Sequence, residues 1–147
     1  MKPEGFRRRL ESYPVRSAVQ TRFSDQDVLR HLNNVAIGQF YEEGRIALNR
    51  EAFADLPHPA PRVLVANIDI AYLAEACYPG VLEVGSAVLS IGRSSYVIAN
   101  GLFQNGACVG AADTVLVATE EGKPAPLSEA LRQGLARLQF AAVAAGS

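Results

Sequence analysis

The sequence predicts an α+β domain in which a curled antiparallel sheet covers one long helix. The chain has 147 residues, 49% of them apolar, which suffices for one domain with its own core and leaves little room for two. An early segment repeats its apolar residues at helical spacing, and segment 62–119 consists of β-rich runs separated by short turns. A helix that is apolar on several sides needs a sheet to cover it, so we treat residues 1–147 as a single α+β domain.

Charge and hydropathy exclude several classes of partner. The chain has 14 Lys and Arg against 15 Asp and Glu, so it carries no general attraction for nucleic acid or for anionic membranes. No stretch approaches the roughly 20 consecutive apolar residues that cross a membrane, and the N-terminus lacks the apolar middle of a signal peptide. We therefore expect a cytoplasmic protein without nucleic-acid or membrane partners.

The two cysteines do not indicate a cofactor. Cys77 and Cys108 lie far apart, and neither has a second Cys or a His at metal-ligand spacing, which excludes a disulfide scaffold and a structural zinc site. We expect both to pack as small apolar residues. No metal or redox cofactor is predicted.

The first strand and the long helix are predicted from two different spacings of the apolar residues. Segment 14–23 alternates with a period of two and predicts a half-buried strand, whose inward side chains are Val15, Ser17, Val19, Thr21 and Phe23. A polar stretch follows that suits a turn and a helix N-cap. From Asn34 to about Phe53 the apolar positions predict a helix buried on several sides. The loop from Asp55 to Pro61 contains three prolines and ends it.

Four strands and a short helix complete the predicted fold. The β-rich runs are 62–73, 81–91, 95–104 and 107–119, and Asn105-Gly106 is a strong signal for a type I′ hairpin. Their short connections predict antiparallel neighbours. Ser128 caps a closing helix with the apolar stripe Leu131, Leu135 and Leu138, and the Ala-rich tail 141–147 is expected to fray. Pairing with a second subunit could cover the sheet edges.

The segment that precedes the long helix holds the best candidates for chemistry. Ten residues contain the polar side chains Asp25, Asp27, His31, Asn33 and Asn34. A helix N-terminus presents unpaired N–H groups and the positive end of a dipole, which can hold an oxyanion. A carboxylate beside it could attack a carbonyl or activate a water. The alternative is that these residues only cap the helix and brace the loop.

This segment also carries a family resemblance. The stretch SDQDVLRHLNNVAIGQFYEEGR resembles the hotdog-fold thioesterases of the 4-hydroxybenzoyl-CoA thioesterase type, whose pattern is D-x-D-x-x-G-H-V-N-N followed by a helix ending in E-x-A-R. Similarity continues through IDIAYLAEACYPGVLEV, SIGRSSYV and NGACVGAADTVLVAT, from about Pro14 to Leu138. The resemblance implies a hotdog fold, a curled antiparallel sheet around one long central helix, with a further C-terminal helix here. It also implies thioester hydrolysis at a subunit interface, with dimer or tetramer left open.

The resemblance assigns roles residue by residue. Asp27 matches the catalytic carboxylate, as nucleophile or general base, and the N–H of Asn34 matches the donor to the thioester oxygen; His31 would orient the loop or help move a proton. Plant acyl-carrier-protein thioesterases resemble the same stretch with D-x-N-x-H-x-N-N, where Leu29 replaces the Asn. Arg30 replaces the family's usual Gly, and it would be strained if that position has positive φ.

Other positions are weaker candidates. Arg93 aligns with basic residues that meet the phosphates of CoA in resembling enzymes, and a guanidinium suits phosphate; Ser94 and Ser95 could touch the pantetheine. The alternative for all three is a turn at the surface. Glu42 is a rival catalytic acid, because some hotdog subfamilies place their acid on the helix; its alternative is a partner for Arg45 or a neighbouring strand.

We therefore hypothesise that the protein is a homo-oligomer that hydrolyses an acyl-CoA. Two alternatives stay open: release of acyl groups from acyl carrier protein, and a non-catalytic acyl-CoA-binding module.

Overall fold

The structure, a computed structural model, describes residues 1–140; the tail that was expected to fray lies outside the described residues. Two helices and six strands form the domain. The helices are α1 (Asn34–Ala52) and α2 (Glu129–Ala136); the strands are β1 (Val15–Gln20), β2 (Arg62–Tyr72), β3 (Val81–Ile91), β4 (Ser95–Gln104), β5 (Ala107–Glu120) and β6 (Lys123–Pro124). Short 3-10 turns precede β1 and follow it. The predicted hotdog arrangement is confirmed, with the sheet curled around α1.

The sheet has the order β1-β3-β4-β5-β2 with every pairing antiparallel, and β6 pairs with the end of β5. Asn105 and Gly106 have φ values of 52° and 81°, as a type I′ turn requires. The prediction that consecutive strands are neighbours is wrong for β2 and β3. The connection 73–80 crosses the end of the sheet, where Leu73 and Ala74 donate to Val109 O, and β2 therefore lies at the far edge.

Helix α1 begins at a side-chain cap and lies against the inner face of the sheet. Asn33 is the N-cap, and its Oδ1 accepts the Ala36 N–H at 2.8 Å. The buried face includes Phe40, Tyr41 and Leu48. The helix is less enclosed than its sequence predicted, because Val35 is 74% exposed and Ile46 is also exposed. The described residues cover only one side of α1.

The outer face of the sheet is covered by the N-terminal segment. Tyr13 packs where β3 and β4 carry Gly85 and Gly101, and a Cβ at Gly85 would lie 2.5 Å from the Tyr13 ring. Phe140 stacks edge-on against Tyr13, with ring centroids 4.9 Å apart. Buried Arg7 forms an ion pair with Asp113 at 2.6 Å and anchors this segment to β5.

Strand β2 is an exposed edge with apolar side chains. Its four large exposed apolar residues have exposed fractions of 43% to 52%: Leu64, Val65, Ile68 and Tyr72. Isolated apolar residues are common on surfaces, whereas a row of them on an unpaired edge marks a contact site. The fold therefore leaves one long edge available for another chain.

Two single-residue expectations were wrong. Phe23 was expected to point inward, but β1 ends at Gln20 and a 3-10 turn over Phe23–Asp25 leaves that ring 76% exposed. Cys77 was expected to pack in the core, but it is exposed in the connection between β2 and β3. Neither α1 nor α2 has the length and apolar character that crossing a membrane requires.

Candidate active site at the start of the central helix

The segment between β1 and α1 folds back on itself as a narrow loop. Asp27 N–H donates to His31 O at 2.8 Å, Gln26 pairs with Leu32, and Asn33 N–H donates to Asp25 O at 2.8 Å. Two steps of pairing, roughly 7 Å at the rise of an antiparallel strand, therefore separate the level of Asp27 from the start of α1. The structure brings three predicted site residues, Asp27, His31 and Asn34, to one end of the domain.

The two aspartates of the loop have different environments. Asp25 is buried, and it accepts hydrogen bonds from the Arg22 N–H at 2.7 Å and the Arg22 guanidinium at 2.9 Å. Burial alone raises the pKa of a carboxyl, but the bonds and charge of Arg22 outweigh this and hold the Asp25 pKa below its ordinary value. Asp25 is thus a structural anion that closes the turn before the loop.

Asp27, in contrast, is exposed and presents its carboxylate at the surface. Its Oδ1 accepts the N–H of Leu29 at 2.8 Å and of His31 at 3.1 Å. Within residues 1–140 these two bonds are the only ones made by the side chain, so Oδ2 has no protein partner there. The loop therefore fixes the direction of the carboxylate through one oxygen and leaves the other oxygen available.

Helix α1 starts roughly 7 Å from the level of Asp27 in the paired loop. Asn33 satisfies the Ala36 N–H, and Asn33 O satisfies the Ile37 N–H. The N–H groups of Asn34 and Val35 have no acceptor among the described residues. They retain the partial positive charge of a helix N-terminus, and they can donate to an oxyanion.

A groove of about 590 Å³ opens at the loop. Asp27 and Arg30 line it together with Phe23, Val28 and Tyr78. Phe23 and Tyr78 meet edge to face with centroids 5.9 Å apart, and Val28 is 97% exposed. Sequence reasoning did not place these three side chains at the site. The sequence offers one signal for Tyr78, which directly precedes the Pro79-Gly80 turn. In the structure the Thr21 hydroxyl donates to Gly80 O at 2.8 Å and so holds this turn beside the segment that follows β1.

His31 and Arg30 each show a feature that the sequence left open. The Nε2 atom of His31 lies 3.1 Å from Glu75 Oε2, so an acidic residue from the connection between β2 and β3 contacts the ring.

Arg30 has φ of 66°, in the left-handed region that favours glycine. The position does need positive φ, and the arginine there is strained.

The remaining predicted residues lie elsewhere in this protomer. Gln20 pairs with Val81 at the start of β3, whereas Arg93, Ser94 and Ser95 follow the end of β3. That strand has 11 residues, roughly 33 Å between its ends, so the Arg93 turn and the Asp27 loop are at opposite ends of the sheet. The turn instead contacts the region before α2, where Leu127 N–H donates to Arg93 O at 2.9 Å.

Glu42 is exposed two turns into α1 and has no salt bridge among the described residues. The suggested pairing with Arg45 is absent there. Arg45 is buried, its Nη1 lies 3.5 Å from Thr114 Oγ1, and burial lowers the pKa of its guanidinium. Residues 1–140 contain no group of three His, Cys, Asp or Glu residues positioned for a metal ion.

Comparison with known proteins identifies the family and the fold. A family profile described as the thioesterase-like superfamily matches residues 21–135. A thioesterase from Thermus thermophilus, solved in complex with coenzyme A and Zn, is 32% identical, with a TM-score of 0.80 over 88% of this chain and 96% of that one. The PA5185 protein of Pseudomonas aeruginosa is 27% identical, also with a TM-score of 0.80, over 92% of this chain and 98% of that one.

A more distant structure shares only the fold. A variant of 4-hydroxybenzoyl-CoA thioesterase, bound to 4-hydroxybenzoyl-CoA, is 12% identical with a TM-score of 0.74 over 82% of this chain and 97% of that one. No curated protein gives a match to the sequence. Because the family match covers most of the chain and includes the whole candidate loop, the chain belongs to the thioesterase-like superfamily and is a thioester hydrolase of the hotdog fold.

Proposed function

We propose that this protein hydrolyses acyl-CoA thioesters at the Asp27 loop, with Asp27 as the reacting carboxylate and the start of α1 as the oxyanion donor. The observation that carries the proposal is a loop in which an exposed carboxylate with a free oxygen lies two pairing steps before the N–H groups of Asn34 and Val35, which have no acceptor among the described residues. Acyl transfer needs both a nucleophile or base and a donor for the developing oxyanion. The relative solved with coenzyme A supports CoA as the carrier.

The chemistry can proceed in two ways from this geometry. In the first, Asp27 Oδ2 forms a bond to the thioester carbon, the C–S bond breaks, and CoA leaves as a thiolate that takes up a proton. Water then cleaves the resulting mixed anhydride and restores the carboxylate. In the second, Asp27 takes a proton from water as the water oxygen attacks the same carbon; the C–S bond then breaks, the acid is released, and the proton held by Asp27 passes to the CoA thiolate.

Both routes place negative charge on the carbonyl oxygen, and the N–H of Asn34 is proposed to stabilise that charge. A donor of this kind contributes about 3 kcal/mol to the transition state. His31 holds the loop through its backbone and, with Glu75 beside its ring, is proposed to orient the loop or to pass a proton to the leaving group.

The proposed active unit is a homodimer paired along β2. This strand has the exposed apolar residues that an edge contact needs. Its first residue, Arg62, lies at the Arg93 end of the sheet, because Arg62 pairs with Thr119 and Ser95 pairs with Val117. An antiparallel pairing of two β2 edges reverses one protomer relative to the other.

That reversal moves the Arg93 turn of the second protomer toward the Asp27 loop of the first. The proposed role of Arg93, Ser94 and Ser95 in CoA binding is therefore a role across the subunit interface. Arg93 of the partner subunit would bind a phosphate, and its two neighbouring serines would contact the pantetheine.

The decisive experiment compares Asp27→Asn with the parent protein on short, long, branched and aromatic acyl-CoAs. We expect kcat to fall at least about 100-fold, because the amide is neither a nucleophile nor a base at neutral pH. Glu43→Gln, which removes a carboxylate from an exposed position on α1, is the matched control and should retain activity. An Asp27→Asn variant that is folded and equally active overturns the assignment.

The same assay separates the alternatives. A carrier-protein thioesterase would turn over acyl groups faster on acyl carrier protein than on CoA. A non-catalytic module would bind acyl-CoA without turnover in parent and variant alike. We expect turnover on CoA thioesters to be the faster reaction.

A further inference from the structure

Arg30 is a cation held in the groove by an unfavourable backbone conformation. Its φ of 66° belongs to the left-handed region, where a side chain with a Cβ is strained. The conformation is fixed by the loop itself, since Arg30 N–H donates to Asp27 O at 3.0 Å. Strain of this kind is concentrated at ligand-binding and catalytic positions, where a side chain gains a role that offsets it.

The guanidinium of Arg30 has no partner within residues 1–140. Arg30 is exposed, and none of the described carboxylates or carbonyl oxygens forms a hydrogen bond or a salt bridge with its side chain. Nearby, in contrast, Arg22 forms a salt bridge with Asp25. The charge of Arg30 is thus available to a ligand.

The other side chains that line the groove determine which ligands the charge of Arg30 can bind. Arg30 is the cation and Asp27 the anion among the side chains that line the groove, and Phe23, Val28 and Tyr78 supply apolar surface. An acidic ligand bound beside Asp27 meets repulsion from that carboxylate unless a cation lies between or near them. Arg30, three positions along the loop, is placed to compensate.

We infer that Arg30 binds a carboxylate carried by the acyl group, so that the preferred substrates are CoA monothioesters of dicarboxylic acids. This inference rests on the proposed thioesterase function. The pantetheine arm separates the CoA phosphates from the sulfur, whereas Arg30 lines the same groove as Asp27, where the thioester carbon is proposed to react. The anion that reaches Arg30 is therefore on the acyl side of the thioester, and the apolar lining contacts the methylene groups between the two ends.

The test uses two matched pairs of ligands that differ only in a terminal carboxylate. Hydrolysis is measured with glutaryl-CoA and pentanoyl-CoA, and binding is measured by calorimetry with the corresponding non-hydrolysable thioethers of CoA. The variants are Arg30→Gly and Arg30→Asn, both compatible with positive φ and both neutral, and Arg30→Lys, which retains the charge. Thioethers of dephospho-CoA test whether Arg30 instead contacts the 3′-phosphate.

We expect the parent protein to bind the carboxylated thioether at least about tenfold more tightly than the apolar one, and to prefer glutaryl-CoA in kcat/KM by a similar factor. Arg30→Gly and Arg30→Asn should abolish that preference, so that glutaryl-CoA and pentanoyl-CoA are hydrolysed with similar kcat/KM. Arg30→Lys should retain part of it. Loss of the 3′-phosphate should weaken binding equally in parent and variants.

The inference is overturned by equal binding of both thioethers by the parent protein, by no binding of either, or by a neutral variant whose preference is unchanged. A variant that is insensitive to the 3′-phosphate while the parent is sensitive also overturns it, because Arg30 would then contact the carrier. Binding by thioethers reports on Arg30 even if no thioester is hydrolysed. If no thioester is hydrolysed, the proposed function is wrong, but the binding data still show whether Arg30 binds the carboxylate.

Discussion

The Oδ1 atom of Asp27 accepts the N–H of His31 at 3.1 Å, so the carboxylate proposed to react with substrate also holds its own loop in shape. A second bond, from the Leu29 N–H at 2.8 Å, closes the same turn. The two oxygens of one side chain thus have separate tasks. A substitution at this position can remove the chemistry, the loop conformation or both, depending on which oxygen it preserves.

Substitutions at Asp27 should therefore separate stability from activity. Asp27→Asn keeps an oxygen for both N–H groups, and we expect a change of less than about 0.5 kcal/mol in the free energy of unfolding. Asp27→Ala removes both bonds and should cost about 1 kcal/mol. Urea denaturation of both variants gives the comparison. Equal losses of stability in the two variants would show that the Oδ1 bonds do not support the loop.

The ion pair of Asp25 with Arg22 predicts a dependence of stability on pH. The Asp25 pKa is lower in the folded protein than the value of about 3.9 in the unfolded chain. As pH falls below about 5 the unfolded chain binds more protons than the folded one, so the stabilisation present above the unfolded pKa is lost as pH falls through the folded pKa.

We expect the free energy of unfolding of Asp25→Asn to fall less between pH 6 and pH 3 than that of the parent, as measured by urea denaturation at each pH. Glu51→Gln, at an exposed glutamate of α1 that has no salt bridge among the described residues, is the control and should reproduce the slope of the parent. An unchanged slope in Asp25→Asn would mean that this ion pair does not contribute to acid sensitivity.

The strain at Arg30 predicts that removing the side chain stabilises the protein. Glycine adopts a φ of 66° without steric cost, whereas residues with a Cβ lose about 1 kcal/mol or more there. Part of the gain is offset because glycine adds freedom to the unfolded chain. We expect Arg30→Gly to raise the free energy of unfolding by about 0.5 to 1 kcal/mol in urea denaturation.

Arg30→Ala is the matched control, since it removes the guanidinium but keeps the strained Cβ. Its free energy of unfolding should stay within about 0.3 kcal/mol of the parent, in line with ordinary surface substitutions. Equal stabilisation by both variants would attribute the effect to the charge rather than to the backbone. A stabilised variant with altered substrate preference is the expected sign of a position selected for function at the expense of stability.

The Asp27 loop could be predicted from sequence because its features are local. Closely spaced aspartates and asparagines before an apolar helical segment determine a turn and a cap within a few residues. The position of Arg93 could not be predicted in this way. Its distance from Asp27 depends on which strand neighbours which, and the connection 73–80 allows β2 to cross to the far edge instead of pairing with β3.

The other missed contacts share that physical reason. Glu75 reaches His31, and Tyr78 lines the groove, because the crossing connection passes under the loop; Leu32 N–H donates to Ala76 O at 2.9 Å there. No period or motif marks such a contact, since it arises from tertiary structure alone. The sequence predicts strain at Arg30 only if that position has positive φ, because it shows the residue type and not the backbone conformation.

The exposed β2 edge predicts how the proposed homodimer can be disrupted. Val65 and Ile68 are 49% and 43% exposed on this edge, and lysine at a strand edge opposes pairing with another chain through charge and desolvation. We expect the double variant Val65→Lys and Ile68→Lys to be a folded monomer in analytical ultracentrifugation. Because the Arg93 turn of the partner subunit completes the proposed CoA site, this monomer should lose at least about tenfold in kcat/KM, mainly through KM.

Leu89→Lys provides the comparison, since Leu89 is also an exposed apolar residue but lies at a bulge in β3, which β4 and β5 separate from the β2 edge. This control should keep the oligomeric state and the activity of the parent. A monomeric double variant with unchanged KM would separate assembly from CoA binding, and it would locate the phosphate contacts within one protomer. A variant that stays oligomeric would instead place the interface away from β2, because two charged side chains in the middle of the edge oppose pairing with a partner strand.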